Sequence, residues 1–161
     1  MILPDVLAPN LKVMFCGTQA GAQSASVGAY YAGRGNRFYE TLFRIGLTPR
    51  QLAPTDYMQL LNYGIGLTDI AKHTSGADKL LKAAHFDGTG LREKIVQYAP
   101  RVLAFNGKRS AQAFLRTQVA YGLQPDQIGA TRIFVLPSTS GAARKFWDER
   151  YWQELATFIQ P

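Results

Sequence analysis

The stretch Leu11-Lys12-Val13-Met14-Phe15-Cys16-Gly17-Thr18-Gln19-Ala20-Gly21 decides the fold. Its apolar run stops at Gly17, which is typical of a buried strand followed by a glycine-rich loop. Residues 101–106 and 131–136 form similar runs, and residues 64–70 indicate a short strand or extended segment. Because helical patterns separate these runs, we expect an α/β protein with three α/β/α layers and a small, mainly parallel central sheet.

Helical patterns with recognisable ends fill the segments between the predicted strands. Asn36 is expected to cap the first helix, Pro54 to open the second and Pro100 to close the third. A further helix begins at Gly107, and Asp148 is expected to cap the last. The apolar side chains expected to face inward from these helices are Phe38, Leu42, Phe43, Ile45, Tyr57, Leu60, Leu61, Leu91, Ile95, Tyr98, Ala111, Phe114, Leu115, Tyr151, Trp152, Leu155 and Phe158.

Length and composition predict a single cytoplasmic domain over residues 1–161. Neither a repeat nor a linker divides the chain, and its 47% hydrophobic and 18% charged residues favour a compact core over disorder. No apolar run approaches the roughly 18 residues of a membrane helix, and the first residues lack a signal-peptide pattern. The single cysteine, Cys16, excludes an internal disulfide and a metal or iron–sulfur centre built from several thiolates.

The charge balance favours an acidic partner. There are 18 Lys and Arg residues against 11 Asp and Glu residues, a net charge of +7. A surplus of this size on a small domain attracts polyanions such as nucleic acids, because neutralising phosphates releases condensed counterions. A basic protein without a nucleic-acid partner would have the same balance, so charge alone identifies no chemistry.

Three loops are candidates for a site, because ligands of parallel sheets bind beyond the carboxyl ends of the strands. The first, residues 17–33, lacks the glycine spacing of a dinucleotide loop and the Gly-Lys-Ser/Thr of a nucleoside-triphosphate loop. Its tyrosines could stack a planar ligand, although a plain glycine-rich turn is the alternative. The second is 68–76. The third, 137–145, offers small hydroxyl residues before two cations, which suits phosphate binding or a solvated helix start.

Several short motifs, in this order and spacing, resemble the mismatch-specific uracil/thymine-DNA glycosylases of the uracil-DNA glycosylase superfamily. The motifs are Phe15-Cys16-Gly17 with Gly21, Asn36-Arg37-Phe38, Gly66-Leu67-Thr68, Gly107-Lys108, and Leu136-Pro137 with Ser140-Gly141. The resemblance implies a monofunctional enzyme of base-excision repair, which flips uracil out of DNA and hydrolyses its N-glycosidic bond. It implies that the protein binds double-stranded DNA, and it leaves open whether single-stranded DNA is also a substrate. It also implies no metal, cofactor or membrane, and a monomer acting at the nucleoid of a bacterial-type cell.

The first motif departs from the family at its catalytic position. The family commonly has Gly-Ile-Asn-Pro-Gly, in which the Asn positions the attacking water, whereas this chain has Gln19 in place of the Asn. Cleavage passes through an oxocarbenium-like state, which a carboxylate beside the sugar can stabilise while it activates water. Asp69, at the end of the Gly66-Leu67-Thr68 segment, is therefore the predicted catalytic carboxylate, with Gln19 as a second catalytic candidate. The alternative is that Asp69 only caps the turn before Ala71.

The resemblance also implies roles in base and DNA binding. Tyr31 is expected to stack the flipped base, and backbone groups near Thr18 and Gln19 are expected to read the edge of that base. Ala142 takes the position of the bulky residue that plugs the duplex, and is a poor wedge. The further base-binding candidates are Ser24, Asn106 and Ser138, and the DNA-binding candidates are Lys108, Ser140, Gly141, Ala142, Arg144 and Lys145. The alternative functions are a non-catalytic DNA- or nucleotide-binding module, and a glycosylase for hypoxanthine, xanthine or thymine.

Overall fold

The computed structural model describes residues 1–78 and 81–160, which form one five-stranded sheet covered by helices. The strands are β1 (Val13–Gly17), β2 (Ile65–Asp69), β3 (Val102–Asn106), β4 (Gly122–Ile128) and β5 (Thr131–Leu136). Their order across the sheet is β2-β1-β3-β5-β4. All neighbours pair in parallel except β4, which is antiparallel to β5. The predicted small, mainly parallel sheet is confirmed.

Helices cover both faces of the sheet, and alternate strand residues enter two separate cores. Val13 and Phe15 of β1 pack on one face, where Trp152 is completely buried. Met14 and Cys16 pack on the other face. The first core contains α2 (Phe38–Arg44) and α5 (Glu149–Ile159), and the second contains α3 (Gly88–Tyr98) and α4 (Lys108–Leu115). This arrangement is the predicted three-layer α/β/α fold. The remaining helices are α1 (Ala22–Val27) and the 3₁₀ helices Pro54–Tyr63, Ala83–His85 and Gly141–Phe146.

The structure corrects the sequence interpretation in two loop regions. Residues 17–33, expected to form a loop throughout, contain α1, a short helix that Gly28 ends in the left-handed conformation at φ 74°. Strand β4 was not predicted, because Pro125 and a run of exposed polar residues hide its pattern. Proline and polar side chains are tolerated there since β4 lies at the edge of the sheet, where its register also shifts.

Two phenylalanines expected in the core are partly exposed. Phe43 is 45% exposed because Phe38 and Leu42, one helical turn apart, form the buried face of α2, and Phe43 projects to the side of it. Phe158 is 37% exposed, with its ring against Phe134 at 5.4 Å between centroids. The predicted capping by Asp148 is confirmed, since its side chain accepts a hydrogen bond from the Arg150 N–H.

The register of the strands brings the candidate loops to one edge of the sheet. Gly17 at the end of β1 is paired with Asp69 at the end of β2, and Asn106 is paired with Leu136. Backbone hydrogen bonds continue the first pairing beyond the strands, from Ile70 N–H to the Gly17 carbonyl at 3.0 Å. Among the helices that residues 1–78 and 81–160 form, none is long and apolar enough to cross a membrane.

Candidate active site

A buried carboxylate lies at the carboxyl end of β2, directly beside Gly17. The Asp69 residue is 5% exposed. A β-carbon added to Gly17 would lie 2.8 Å from Asp69 Oδ1 and 3.3 Å from the Tyr31 hydroxyl oxygen. The absence of a side chain at Gly17 therefore allows two polar side chains to approach the same small space. The prediction that loops 17–33 and 68–76 share a site is consistent with this contact.

The surroundings of Asp69 make its carboxyl group a weaker acid than an ordinary aspartic acid. Burial raises the pKa of Asp69 from 3.8 to about 6, although the positive charge of Lys72 opposes the rise. Within the described ranges, the Asp69 side chain accepts no hydrogen bond. A carboxylate with these properties is mostly ionised at neutral pH and basic enough to take a proton from water.

Tyr31 supplies both an aromatic ring and a buried hydroxyl. Its ring lies against Phe38, with centroids 4.1 Å apart and planes at 31°. Its backbone has φ 54°, a left-handed conformation that costs energy for a residue with a side chain. Burial, followed by the negative charge of Asp69, raises the pKa of Tyr31 well above its ordinary value, so the hydroxyl keeps its proton. Phe38, which is completely buried, fixes the ring from behind.

Ser24 holds the loop that carries Tyr31. The Ser24 hydroxyl is buried and accepts a hydrogen bond of 2.9 Å from the Ala32 N–H. The Tyr39 hydroxyl donates to the Tyr30 carbonyl at 2.5 Å, which secures the same loop from the other side. Ser24 was predicted to bind the base, but in this structure its hydroxyl holds the loop that carries Tyr31.

Gln19 and Thr18 connect the first loop to the second. The Gln19 side-chain Nε2 donates to the Gly76 and Ala77 carbonyls at 3.0 and 3.2 Å. Its Oε1 atom is buried and accepts no hydrogen bond from the described residues. The Thr18 carbonyl, which was expected to help read the base, already accepts from Ala71 N–H at 2.8 Å. Gln19 therefore joins two loops with its amide nitrogen and retains one free acceptor.

Asn106 ties the end of β3 to the third loop. Its Nδ2 donates to Thr139 Oγ1, and its Oδ1 accepts from the Thr139 N–H, both at 3.0 Å. The Ser138 hydroxyl accepts from the Ser140 N–H at 3.1 Å, so it shapes the same loop. Each end of the Asn106 amide keeps capacity for one further hydrogen bond. Asn106, at 8% exposure, thus remains available to the edge of a base.

The third loop ends in a basic, exposed 3₁₀ helix. Ser140 caps it, since its Oγ accepts from the Ala142 N–H at 3.2 Å, and Gly141 packs against the 34–35 backbone. Arg144 and Lys145 are exposed, as is Ala142. Phe146 follows them and is 58% exposed. Lys108, predicted to bind phosphate with this loop, has its Nζ 4.4 Å from the centre of the Tyr121 ring.

A partly buried charge network beside β2 was not predicted from the sequence. Lys72 Nζ lies 3.0 Å from Asp5 Oδ1 and donates to the Tyr30 hydroxyl at 2.9 Å. Lys94 Nζ lies 2.7 Å from the other oxygen of Asp5, and Thr68 donates to Asp5 at 2.6 Å. Asp5, Tyr30 and Lys94 are far in sequence from the segment with Thr68 and Lys72, and no motif unites them. The network fixes Lys72, whose charge favours the ionised form of Asp69.

Comparison with known proteins identifies a family over nearly the whole chain. The model of the Uracil DNA glycosylase superfamily matches residues 4–156. The fold is similar to the solution NMR structure of a "putative Uracil DNA glycosylase" from Methanosarcina acetivorans, with a TM-score of 0.66. That match has 24% sequence identity and covers 98% of this chain and 94% of the other. The structural likeness concerns the fold, whereas the family model establishes the membership.

Proposed function

The chain belongs to the uracil-DNA glycosylase superfamily, and from that premise we propose that it excises uracil from DNA as a monofunctional glycosylase. The observation that carries the proposal is the buried Asp69 carboxylate beside Gly17 and the Tyr31 hydroxyl. A buried, unpaired carboxylate destabilises a protein, so its presence at the ligand-binding edge of the sheet favours a functional role.

The proposed reaction is a hydrolysis with Asp69 as the general base. The oxygen of a water molecule forms a bond to C1′ of the deoxyribose, and the C1′–N bond breaks. The base leaves with the electron pair and takes up a proton from solvent, to which Asp69 afterwards returns the proton that it accepts. The proton of the attacking water passes to the Asp69 carboxylate, whose negative charge also stabilises the positive sugar in the transition state.

The flipped base would lie between Tyr31 and Asn106. The Tyr31 ring offers a stacking surface that Phe38 supports from behind. The free hydrogen-bonding capacity of Asn106 suits the edge of uracil, which presents both carbonyl acceptors and an N–H donor. The buried Gln19 Oε1 is a further acceptor on the same loop as Gly17.

The 3₁₀ helix Gly141–Phe146 would contact the DNA backbone. Arg144 and Lys145 are exposed cations that can neutralise phosphates, and the net charge of +7 supports a polyanionic partner. Ala142 is too small to fill the space that a flipped base leaves. Phe146 on the same helix is a large, exposed side chain that could fill it.

The proposed function can be tested with a panel of oligonucleotides. Each would carry one lesion: uracil opposite guanine or adenine, uracil in a single strand, thymine opposite guanine, hypoxanthine or xanthine. We expect base release from the G·U duplex by the wild-type protein, and loss of that release in Asp69→Asn. Release of another base in preference to uracil would reassign the substrate. Binding without release of any base would identify a DNA-binding module instead.

A further inference from the structure

We propose that the Tyr31 hydroxyl is a catalytic group that holds the attacking water together with Asp69, in addition to the stacking role of the ring. This inference rests on the proposed glycosylase function and assigns a second residue to its chemical step. It differs from the role implied by the family resemblance, in which the aromatic ring alone would act and a phenylalanine would serve equally well.

The first support is the position of the hydroxyl. A β-carbon on Gly17 would lie 3.3 Å from the Tyr31 hydroxyl oxygen and 2.8 Å from Asp69 Oδ1. The two oxygens therefore border the same small space above the end of β1. Gly17 itself leaves that space open, because it has no side chain.

The second support is the unused hydrogen-bonding capacity of both groups. The Tyr31 hydroxyl is buried, and the part of the chain described here provides it with no partner. Asn106 is near enough to lower the pKa of Tyr31, but the hydrogen bonds that its amide makes in this structure are both to Thr139. A buried hydroxyl without a partner destabilises the folded protein, a cost that a phenylalanine would avoid. A buried hydroxyl without a partner, placed beside a carboxylate, indicates a group that binds something during function.

The third support is the match between these two groups and a water molecule. The raised pKa of Tyr31, caused by burial and by Asp69, keeps its hydroxyl protonated and able to donate. The carboxylate of Asp69 can only accept when it is ionised. A water molecule between them accepts one hydrogen bond from Tyr31 and donates one to Asp69. Its second lone pair is then free to attack C1′, while Asp69 receives the proton.

The backbone of Tyr31 agrees with a functional constraint. Its φ of 54° is costly for a residue with a side chain, and such strain persists where the surrounding structure requires it. The packing of the ring against Phe38 and the hydrogen bond from the Ala32 N–H to Ser24 hold the residue in this conformation. The hydroxyl is thus held in place before substrate arrives.

The test is the variant Tyr31→Phe in single-turnover release from a G·U duplex, with Tyr57→Phe as the matched control. Tyr57 packs against Tyr30, with centroids 5.7 Å apart, and has no part in the proposed chemistry. We expect Tyr31→Phe to slow release by about 10-fold or more, the effect of one lost hydrogen bond in the transition state. The affinity for uracil-containing DNA and the thermal stability should not fall, because the ring remains and no hydrogen bond is lost. Tyr57→Phe should release uracil at the wild-type rate.

The outcomes separate this inference from the proposed function. A wild-type rate in Tyr31→Phe would overturn the catalytic role of the hydroxyl and leave the ring as a stacking surface. That result together with a slow Asp69→Asn variant would leave the glycosylase assignment intact. If the wild-type protein released no base from any lesion, the proposed function would fail, and the role of Tyr31 with it.

Discussion

Replacing Asp69 with Asn should make the protein more stable and almost inactive. The folded protein raises the pKa of Asp69 from 3.8 to about 6, because burial disfavours the charged form. A difference of about 2 pKa units corresponds to a cost of about 3 kcal/mol when the carboxylate is ionised. An asparagine of the same shape removes that charge, but its amide is also buried, so about 3 kcal/mol is the upper limit of the gain.

The dependence on pH follows from the raised pKa. The folded state prefers the protonated carboxyl, so the cost is complete above about pH 6 and disappears as the pH falls through the unfolded value of 3.8. For a domain of this size the gain at about pH 8 corresponds to an increase in Tm of roughly 6–12 °C. At about pH 4 it should be below 1 kcal/mol. Among the residues that the structure describes, the main charges acting on Asp69 are Lys72 and Lys94, which oppose the rise, and Asp5 and Asp78, which add to it.

Activity should change in the opposite direction. Wild-type release should fall as the pH drops below about 6, since Asp69 must be ionised to accept a proton from water. Asp69→Asn should be slower by about 100-fold or more at neutral pH, and its residual rate should lose that dependence on pH. DNA binding should persist, because phosphate contacts supply most of the affinity.

The assay combines thermal melts at about pH 4 and about pH 8 with single-turnover release on a G·U duplex. Asp87→Asn is the matched control, because Asp87 is exposed and accepts a hydrogen bond from the Gly90 N–H at the start of α3. That variant should be unchanged in rate and slightly less stable. If Asp69→Asn were destabilised at about pH 8 while its rate was normal, Asp69 would be a capping residue, and the reasoning from burial would be refuted.

Further predictions concern the residues around Asp69 and the basic helix. Gly17→Ala should fold and should slow base release by about 10-fold or more. The added carbon would lie 2.8 Å from Asp69 Oδ1 and must displace the carboxylate. An unchanged rate would exclude the proposed contact. Lys72→Met should raise the pKa of Asp69 further, so that the rate of base release begins to fall at a higher pH. The same variant loses the ion pair with Asp5, which should lower the free energy of unfolding by about 2 kcal/mol in a denaturant titration. Arg144→Ala should weaken binding to all DNA sequences alike and reduce the slope of log affinity against log salt by about 1, whereas a sequence-dependent loss would indicate a base contact.

The sequence predicts the centre of this fold better than its edges. The strands β1, β3 and β5 are buried on both faces, so each appears as a continuous apolar run. Strand β4 lies at the edge, where exposed residues and Pro125 are tolerated, and its sequence therefore resembles a loop. Helix α1 is hidden for a related reason, since its small residues have no clear apolar face.

The same contrast applies to the site. The convergence of Tyr31 and Asp69 could be predicted, because loops after neighbouring parallel strands meet at one edge of the sheet. The contacts that engage Ser24 and Lys108 could not, since they depend on where Ala32 and Tyr121 come to lie in the folded chain. The network of Asp5 with Lys72 and Lys94 likewise exists only after the N-terminal segment packs along β2.

The register of β1 and β2 agrees with the proposal that Asp69 takes the catalytic role expected of the residue after β1. The family resemblance places the water-positioning residue just after β1, where this chain has Gln19. Asp69 ends the neighbouring strand and is the paired residue of Gly17, so its side chain starts from almost the same edge of the sheet. The exchange needs one further condition, which is the lack of a side chain at Gly17, because a β-carbon would lie 2.8 Å from Asp69 Oδ1. Gln19 joins the loops at Gly76 and Ala77, and the proposed reaction depends on a geometry that the strand pairing itself provides.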